Sequence, residues 1–206
     1  MRVPTEKRER ALGERLHLKG HRCDSPKCAA VRRPYRPGVH GPGGRGRKAP
    51  SDFGRQLVEK QKVKVVYGID EKNLRRLFEI AKESKTGTSM KLLELLERRL
   101  DNVMYRLGLA SSRREGHQVI LHGHVNVNGK RVRSPGFQVP DGGVVSVRED
   151  VRGKSIFKEM TKNLEKFSPP GWLELDINKL EGKVVRTPQV EESVFEINLL
   201  VEAFSK

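Results

Sequence analysis

Asn128-Gly129, set between Val125-Asn-Val127 and Lys130-Arg-Val132, constrains this chain more tightly than any other short stretch in it. Asn-Gly flanked by apolar/polar alternation is the strongest two-residue signal for a β-hairpin. It puts Val125, Val127 and Val132 on one face and sets Asn126 opposite Arg131 on the other. Just upstream, Ser112 and Glu115 have the spacing of a capping box. They predict a short helix that runs to about His122 and stops at Gly123.

The same signals organise the rest of the chain. Ser51 reads as the N-cap of a helix from Asp52 to about Tyr67, stopped by Gly68. Asp70 caps the next helix, and Ile69 with Leu74 matches a hydrophobic staple. Leu74, Leu77, Phe78 and Ala81 form its apolar face, with Lys72, Arg75, Arg76 and Lys82 opposite. After Gly87-Thr-Ser89, one longer helix is expected from Met90, with Leu92, Leu93, Leu96, Leu100, Val103, Met104 and Leu107 on helical spacing and Gly108 at its end. Arg98 and Arg99 fall on its polar side, either as a solvated face with Glu94 and Glu97 or as an RNA-facing one; their positions do not decide. Pro135, Pro140 and Asp141-Gly-Gly143 mark turns, residues 144–149 and 172–177 read as strands, and two further amphipathic helices hold Ile156, Phe157, Met160 and Leu164, then Ile197, Leu200, Val201 and Phe204. No internal repeat is visible.

Charge narrows the partner. The net charge is +16 over 206 residues, an excess that attracts polyanions over long range. Residues 1–50 carry fourteen Lys and Arg against four Asp and Glu, whereas residues 151–206 are balanced. That first segment, with RRPYRPGVHGPGGRGRKAP at its end, reads as an arm with little that could pack, one that folds against its polyanion; Arg45 and Arg47 belong to it. No apolar run approaches the roughly 20 residues of a membrane helix, and MRVPTEKRER lacks an apolar signal core, so a soluble, cytosolic protein with no membrane partner is expected. Two cysteines argue against a disulfide scaffold.

The stretch 109–131 holds His117, His122 and His124. A metal site is disfavoured there, because the His122 and His124 rings are expected to point apart across the Gly123 turn and no cysteine or carboxylate completes a shell. A catalytic reading lacks a nucleophile, an orienting partner and a pocket. Duplex DNA is disfavoured as well: a hairpin after the second helix is not the usual arrangement. RNA has a positive argument. Arg113 and Arg114 occupy the first two positions of a helix, where cations oppose the dipole by about 0.3–1 kcal/mol each; a phosphate bound there reverses the sign.

LERRLDNVMYRLGLASSRREGHQVILHGHVNVNGKRV (96–132) closely resembles the RNA-binding module of the small-subunit ribosomal protein S-four family. HLKGHRCDSPKCAAVRRPYRPGVHG (17–41), SDFGRQLVEKQKVKVVYGI (51–69) and PPGWLELDINKLEGKVVRTP (169–188) extend that resemblance to nearly the whole chain. Other carriers of the module, tyrosyl-tRNA synthetases and pseudouridine synthases among them, need a large catalytic domain for which there is no room. The resemblance implies an α+β fold: a helical domain over 51–88, completed by 190–206, with an inserted domain over 89–189. The insert holds the module (about 97–160), helices beside a small antiparallel sheet, and the basic arm (1–50) precedes both.

The resemblance also implies a non-enzymatic constituent of the small ribosomal subunit. Such a protein binds the 5′ domain of 16S rRNA early in assembly, contacts ribosomal protein S-five and other small-subunit proteins, influences decoding accuracy, and in some bacteria represses its own operon mRNA. By family match, the RNA-binding residues are Arg32, Arg33 and Tyr35 in the arm, Lys60 and Lys62 in the first long helix, and Arg99, Ser112, Arg113, Gln118, His122, His124, Asn126, Asn128 and Lys130 in the module. Arg45, Arg47, Arg75, Arg76, Arg114 and His117 join them on charge and position. The chain departs from the family in three places. Glu6 and Glu9 stand where many members have the first two of four zinc-binding cysteines; Cys23 and Cys28 remain as candidate zinc ligands, with His17 or His21 as further donors in principle, but two cysteines alone rarely hold structural zinc and no cofactor is favoured. His117 replaces a frequent Arg, with Arg114 where a small residue is common. Gly116 should weaken its helix by up to about 1 kcal/mol relative to Ala, leaving it to be ordered by RNA.

Overall fold

The computed structural model describes residues 5–39, 41, 51–154, 157, 160, 161, 164, 167–188 and 195–205. The chain forms two compact units, Met1–Ser89 with Ser193–Lys206, and Met90–Glu192.

In the first unit, α4 (Asp52–Tyr67) and α5 (Glu71–Lys82) begin and end where the caps predict. Ser51 Oγ accepts from Gly54 N, Gly68 turns the chain at φ 65°, and Asp70 accepts from Asn73 N at 2.8 Å. Val63 and Val66 of α4 and Leu74, Phe78 and Ala81 of α5 are buried. The closing helix, α10 (Ile197–Ser205), packs on both: Phe204 stacks on Phe78 with centroids 5.1 Å apart, and Gln56 donates to Glu202 at 2.9 Å.

The basic N-terminal segment, read from sequence as an arm with little that could pack, has a folded part before the 32–50 run. Over its described residues it folds as α1 (Thr5–Leu12), α2 (His21–Asp24) and α3 (Ala29–Arg32), with α1 against α3 and α4. Leu18, Cys23 and Cys28 make its small core. Its backbone is organised by a side chain: buried Glu9 accepts from the amides of Leu16 and Leu18 at 3.1 and 3.2 Å. Periodicity could not reveal this, because polar atoms and tight turns do the folding.

In the second unit, α6 (Thr88–Glu97) leads into α7 (Leu100–Arg106) and α8 (Arg113–Leu121), and α7 and α8 share a core with one sheet. Its strands are β1 (Val125–Val127), β2 (Lys130–Val132), β3 (Val144–Val147), β4 (Leu173–Asp176) and β5 (Glu181–Val184), in the order β2-β1-β3-β5-β4 with every pair antiparallel. Between β3 and β4 lies α9 (Glu149–Arg152). The hairpin register is the predicted one, with Asn126 opposite Arg131 and positive φ at Asn128 and Gly129. Phe157, Met160 and Leu164 join the core with Trp172, Leu107 and Ile120; Ile156 lies outside the described residues. Strand β5 escaped the sequence reading because Gly182 interrupts its apolar alternation. A Cβ at Gly182 would fall 2.3 Å from Leu107 Cδ1, so the glycine is what lets α7 rest on the sheet.

The single helix expected from Met90 to Leu107 is two. The Leu100 and Asp101 amides leave the helical ladder and donate to Phe137 O (2.9 Å) and Pro135 O (3.1 Å), and Arg98 O accepts from Val139 N (3.0 Å). Arg99 turns extended, with ψ 136°. The apolar spacing survives the break, since all seven of the predicted apolar positions are buried, and for that reason periodicity alone reads straight through it.

Candidate RNA-binding interface

Helix α8 starts at the Ser112 cap, whose Oγ accepts from Glu115 N at 3.3 Å. The Glu115 carboxylate reaches back one residue further than the box predicts, to the amide and hydroxyl of Ser111. Gly116 is not a weak point. A Cβ there would lie 2.9 Å from Asp101 O and 3.4 Å from Met104 Cβ, so the glycine permits the close crossing of α7 and α8.

The two arginines at the helix start are not equivalent. Arg113 turns inward: its Nε donates to Asn102 Oδ1 at 2.7 Å and its guanidinium lies 4.5 Å from the Tyr105 ring centroid. Arg114 is exposed, and with His117, Gln118 and Leu121 it forms one exposed face of α8. His117 Nδ1 sits 3.5 Å from Asp101. The face continues through exposed His122 into the Gly123 turn and the hairpin, where Lys130 and Asn128 are exposed and Asn126 is half-buried. Asn128 also braces the sheet. Its Oδ1 accepts from Val144 N, and its own amide donates to Val144 O, both at 2.8 Å.

The His122 and His124 rings come closer than their expected divergence, 5.8 Å between centroids at a tilt of 59°, because His122 still caps α8 while His124 leads into β1. Arg148 and Lys154, which the sequence reading did not name, surround the turn with Arg131, which it placed only opposite Asn126 in the hairpin. Arg131 Nε and Arg148 Nη1 both donate to Gly123 O (2.9 and 3.3 Å), Arg131 Nη2 reaches His122 O (3.3 Å), and Lys154 Nζ lies 3.4 Å from His124 Nε2. Burial first, then Lys154, His122 and Arg148, hold the His124 imidazole below its ordinary pKa. The visible signal was the Lys130-Arg-Val-Arg133 run on an edge strand.

Arg99 belongs to the interior. Its Nε and Nη2 meet both oxygens of Asp101 (3.1 and 2.8 Å), and the pair is almost fully buried. Arg98 binds Glu94, Asp141 and Val139 O, while Glu97 takes Asn102 and Arg106. This network, rather than a solvated or RNA-facing helix side, is where the paired arginines go.

In the first unit, Lys60 and Lys62 are also committed. Lys60 pairs with Glu71 at 3.0 Å above the Phe204 ring, and Lys62 with Glu14 at 2.6 Å and with Glu59. Burial opposes the Lys62 charge, but Glu14 and Glu59 together hold its pKa above the ordinary lysine value. Arg32, Arg33, Arg75 and Arg76 are exposed, and Tyr35 is 39% exposed. Arg45 and Arg47 lie outside the described residues.

The geometry does not fit a zinc knuckle. Cys23 Sγ accepts from Lys19 N at 3.2 Å, and burial pushes its thiol pKa up. His17 Nδ1 turns to Asp24 at 3.3 Å, and one Glu9 oxygen takes two backbone amides. Among the described residues no three His, Cys, Asp or Glu side chains converge as a metal shell, and no helix is long and apolar enough to cross a membrane.

Residues 1–97 match the family model "Ribosomal protein S4/S9 N-terminal domain", and residues 98–145 match the "S4 domain". The chain belongs to the ribosomal protein S4 family. It is 47% identical to the small ribosomal subunit protein uS4 of Halothermothrix orenii over 96% of this chain and 94% of that one. Its identity to the uS4 proteins of Heliobacterium modesticaldum and Thermus thermophilus is 45% and 43% over the same shares. As a ribosomal protein S4 family member it is a structural, RNA-binding protein and not an enzyme, with an α+β fold.

Proposed function

We propose that this chain, a structural constituent of the small ribosomal subunit in the cytoplasm, holds the 5′ domain of 16S rRNA from an early stage of assembly. The observation that carries this is the continuous exposed face of Arg114, His117, Gln118, His122 and Lys130 on α8 and the hairpin, inside the segment matched by the S4 domain. Only 5% of the residues are aromatic, which suits phosphate contacts and shape more than stacking on splayed bases. Contact with ribosomal protein S-five, an influence on decoding accuracy and repression of its own operon mRNA are further parts of the reading, supported by the family resemblance alone. Zinc is not part of it.

Footprinting and gel shifts on a 5′-domain RNA fragment test the proposal. Specific nanomolar binding that survives rising salt is expected, and equal or better binding to large-subunit RNA would refute it. Arg114→Ala should lower the slope of log K against log salt by roughly 0.7–0.9, one phosphate contact. Arg113→Ala is the poorer probe, because it also removes the Asn102 and Tyr105 contacts.

A further inference from the structure

We infer that binding of an RNA phosphodiester at the Gly123 turn is coupled to uptake of a proton by His124, so that this face holds RNA more tightly as pH falls through the neutral range. The turn brings three cations to one imidazole. Lys154 Nζ lies 3.4 Å from His124 Nε2, and Arg148 Nη1 and Arg131 Nε are both fixed on Gly123 O, at 3.3 and 2.9 Å. The His122 ring, at the end of α8, stands 5.8 Å from the His124 ring. Buried Phe157 meets His124 edge-on, with centroids 6.4 Å apart.

One carboxylate answers these cations. Asp150 pairs with Arg148 at 2.7 Å, and among the described residues no ion pair reaches Arg131 or Lys154. The proton state of His124 in the free protein follows from these neighbours. An imidazole with its proton on Nδ1 accepts from the Lys154 ammonium at Nε2. An imidazolium has no lone pair to offer, and would place two cations 3.4 Å apart. Desolvation of the half-buried ring, then Lys154, His122 and Arg148, therefore favour the neutral form, with Asp150 alone opposing them.

A phosphate at this turn inverts the balance. An opposite charge within about 4–6 Å of a titrating group shifts its pKa by about 1–3 units toward the charged form. Lys154 and Arg131 are exposed and His124 is half-buried, so all three can reach an anion from solvent. Lys154 then leaves the ring for a phosphate oxygen, and His124 Nε2, once protonated, donates to the same group. Proton and phosphate stabilise each other, and by linkage the affinity for RNA rises with proton activity wherever the bound ring is charged and the free ring is not. The family resemblance assigns His124 as a contact. Its proton is a consequence of Lys154, Arg148 and Phe157, which only the fold brings to the ring.

The inference rests on the reading of the chain as an RNA binder, so its test has two arms on the full-length protein. In the first, the His124 ring proton resonance is followed by NMR from about pH 5 to 8, without ligand and with excess 5′-phosphorylated tetrauridine. The titration midpoint is expected to rise by about one unit or more with the oligonucleotide. An unmoved or lowered midpoint would overturn the coupling whatever the larger RNA partner is. In the second, affinity for the 5′-domain fragment is measured at fixed salt between about pH 8 and 6. Wild-type binding should tighten roughly five- to tenfold over that range, and His124→Gln should lose most of the gain. A variant that tightens as much as the wild type would also overturn the inference. A raised midpoint with tetrauridine, without binding of the 5′-domain fragment, would keep the coupling and remove the 16S assignment.

Discussion

Two arginine-rich regions of this molecule look alike as sequence and are opposites in structure. At the α6–α7 junction, Arg98, Arg99 and Arg106 are each met by a carboxylate, and Asp101 is only 2% exposed. In the N-terminal segment, Arg10, Lys27, Arg32 and Arg33 have no ion-pair partner among the described residues, because each local carboxylate is spent on a backbone turn or another cation. The first arrangement makes arginine a structural residue, holding two helices and the 134–139 loop together. The second leaves charge for a ligand. A count of cations cannot separate the two; the positions of the acids do.

The largest effect should come from breaking the buried side of this contrast. Asp101→Ala leaves the Arg99 guanidinium in the interior without its counter-charge, and loss of one partner of a buried pair costs about 3–5 kcal/mol. Urea unfolding read from Trp172, the single tryptophan and buried in the same unit, would show it; a loss below about 1 kcal/mol would mean the junction is not a true interior pair. Next is Lys62→Ala, which strands Glu59 (9% side-chain exposure) and should cost about 1–3 kcal/mol while leaving the salt slope of RNA binding unchanged. A slope reduced by about one unit would return Lys62 to the RNA-contacting set.

Gly116→Ala tests packing against propensity. Alanine should gain up to about 1 kcal/mol of helix propensity, yet its methyl meets Asp101 O at 2.9 Å, and overpacking of that kind typically costs about 1–3 kcal/mol. Net destabilisation is expected, and a raised melting temperature would contradict the tight α7–α8 crossing. The smallest effect is a pH dependence at the Gly123 turn. A histidine with a depressed folded pKa binds fewer protons folded than unfolded. Its contribution is therefore complete above the unfolded value of about 6.5 and is lost as pH falls through the lower folded one. His124→Gln should flatten the decline of melting temperature as pH falls below about 6.5, and an identical pH profile in the variant would refute the depressed pKa.

Local signals were legible from sequence wherever the cause is local. The caps at Ser51, Asp70 and Ser112, the stops at Gly68 and Gly123, and the Asn128-Gly129 hairpin depend on a residue and its neighbours within three or four positions, and the structure bears them out. The exposed candidates on α8 were legible for the same reason. What was missed depends on partners far along the chain. The break at Arg99 exists because Pro135 and Phe137 offer carbonyls to Asp101 and Leu100. Strand β5 exists because Gly182 clears Leu107, and the N-terminal core because Glu9 gathers the Leu16 and Leu18 amides. Arg131 was read only as the hairpin partner of Asn126, and Arg148 not at all, because the Gly123 carbonyl that gathers them is a tertiary meeting point.

Residue order alone thus settles the kind of molecule: the family, the helices, the hairpin and a charge that calls for a polyanion, all properties that add along the chain. Which cations are available is a matter of the folded arrangement. Lys60, Lys62 and Arg99 are drawn into ion pairs, Arg113 onto Tyr105 and Arg10 onto Tyr35, while Lys27, Arg32 and Arg33 are left to face outward. A charge is neutralised by whatever lies within a few ångströms of it, and folding sets those neighbours, not order along the chain.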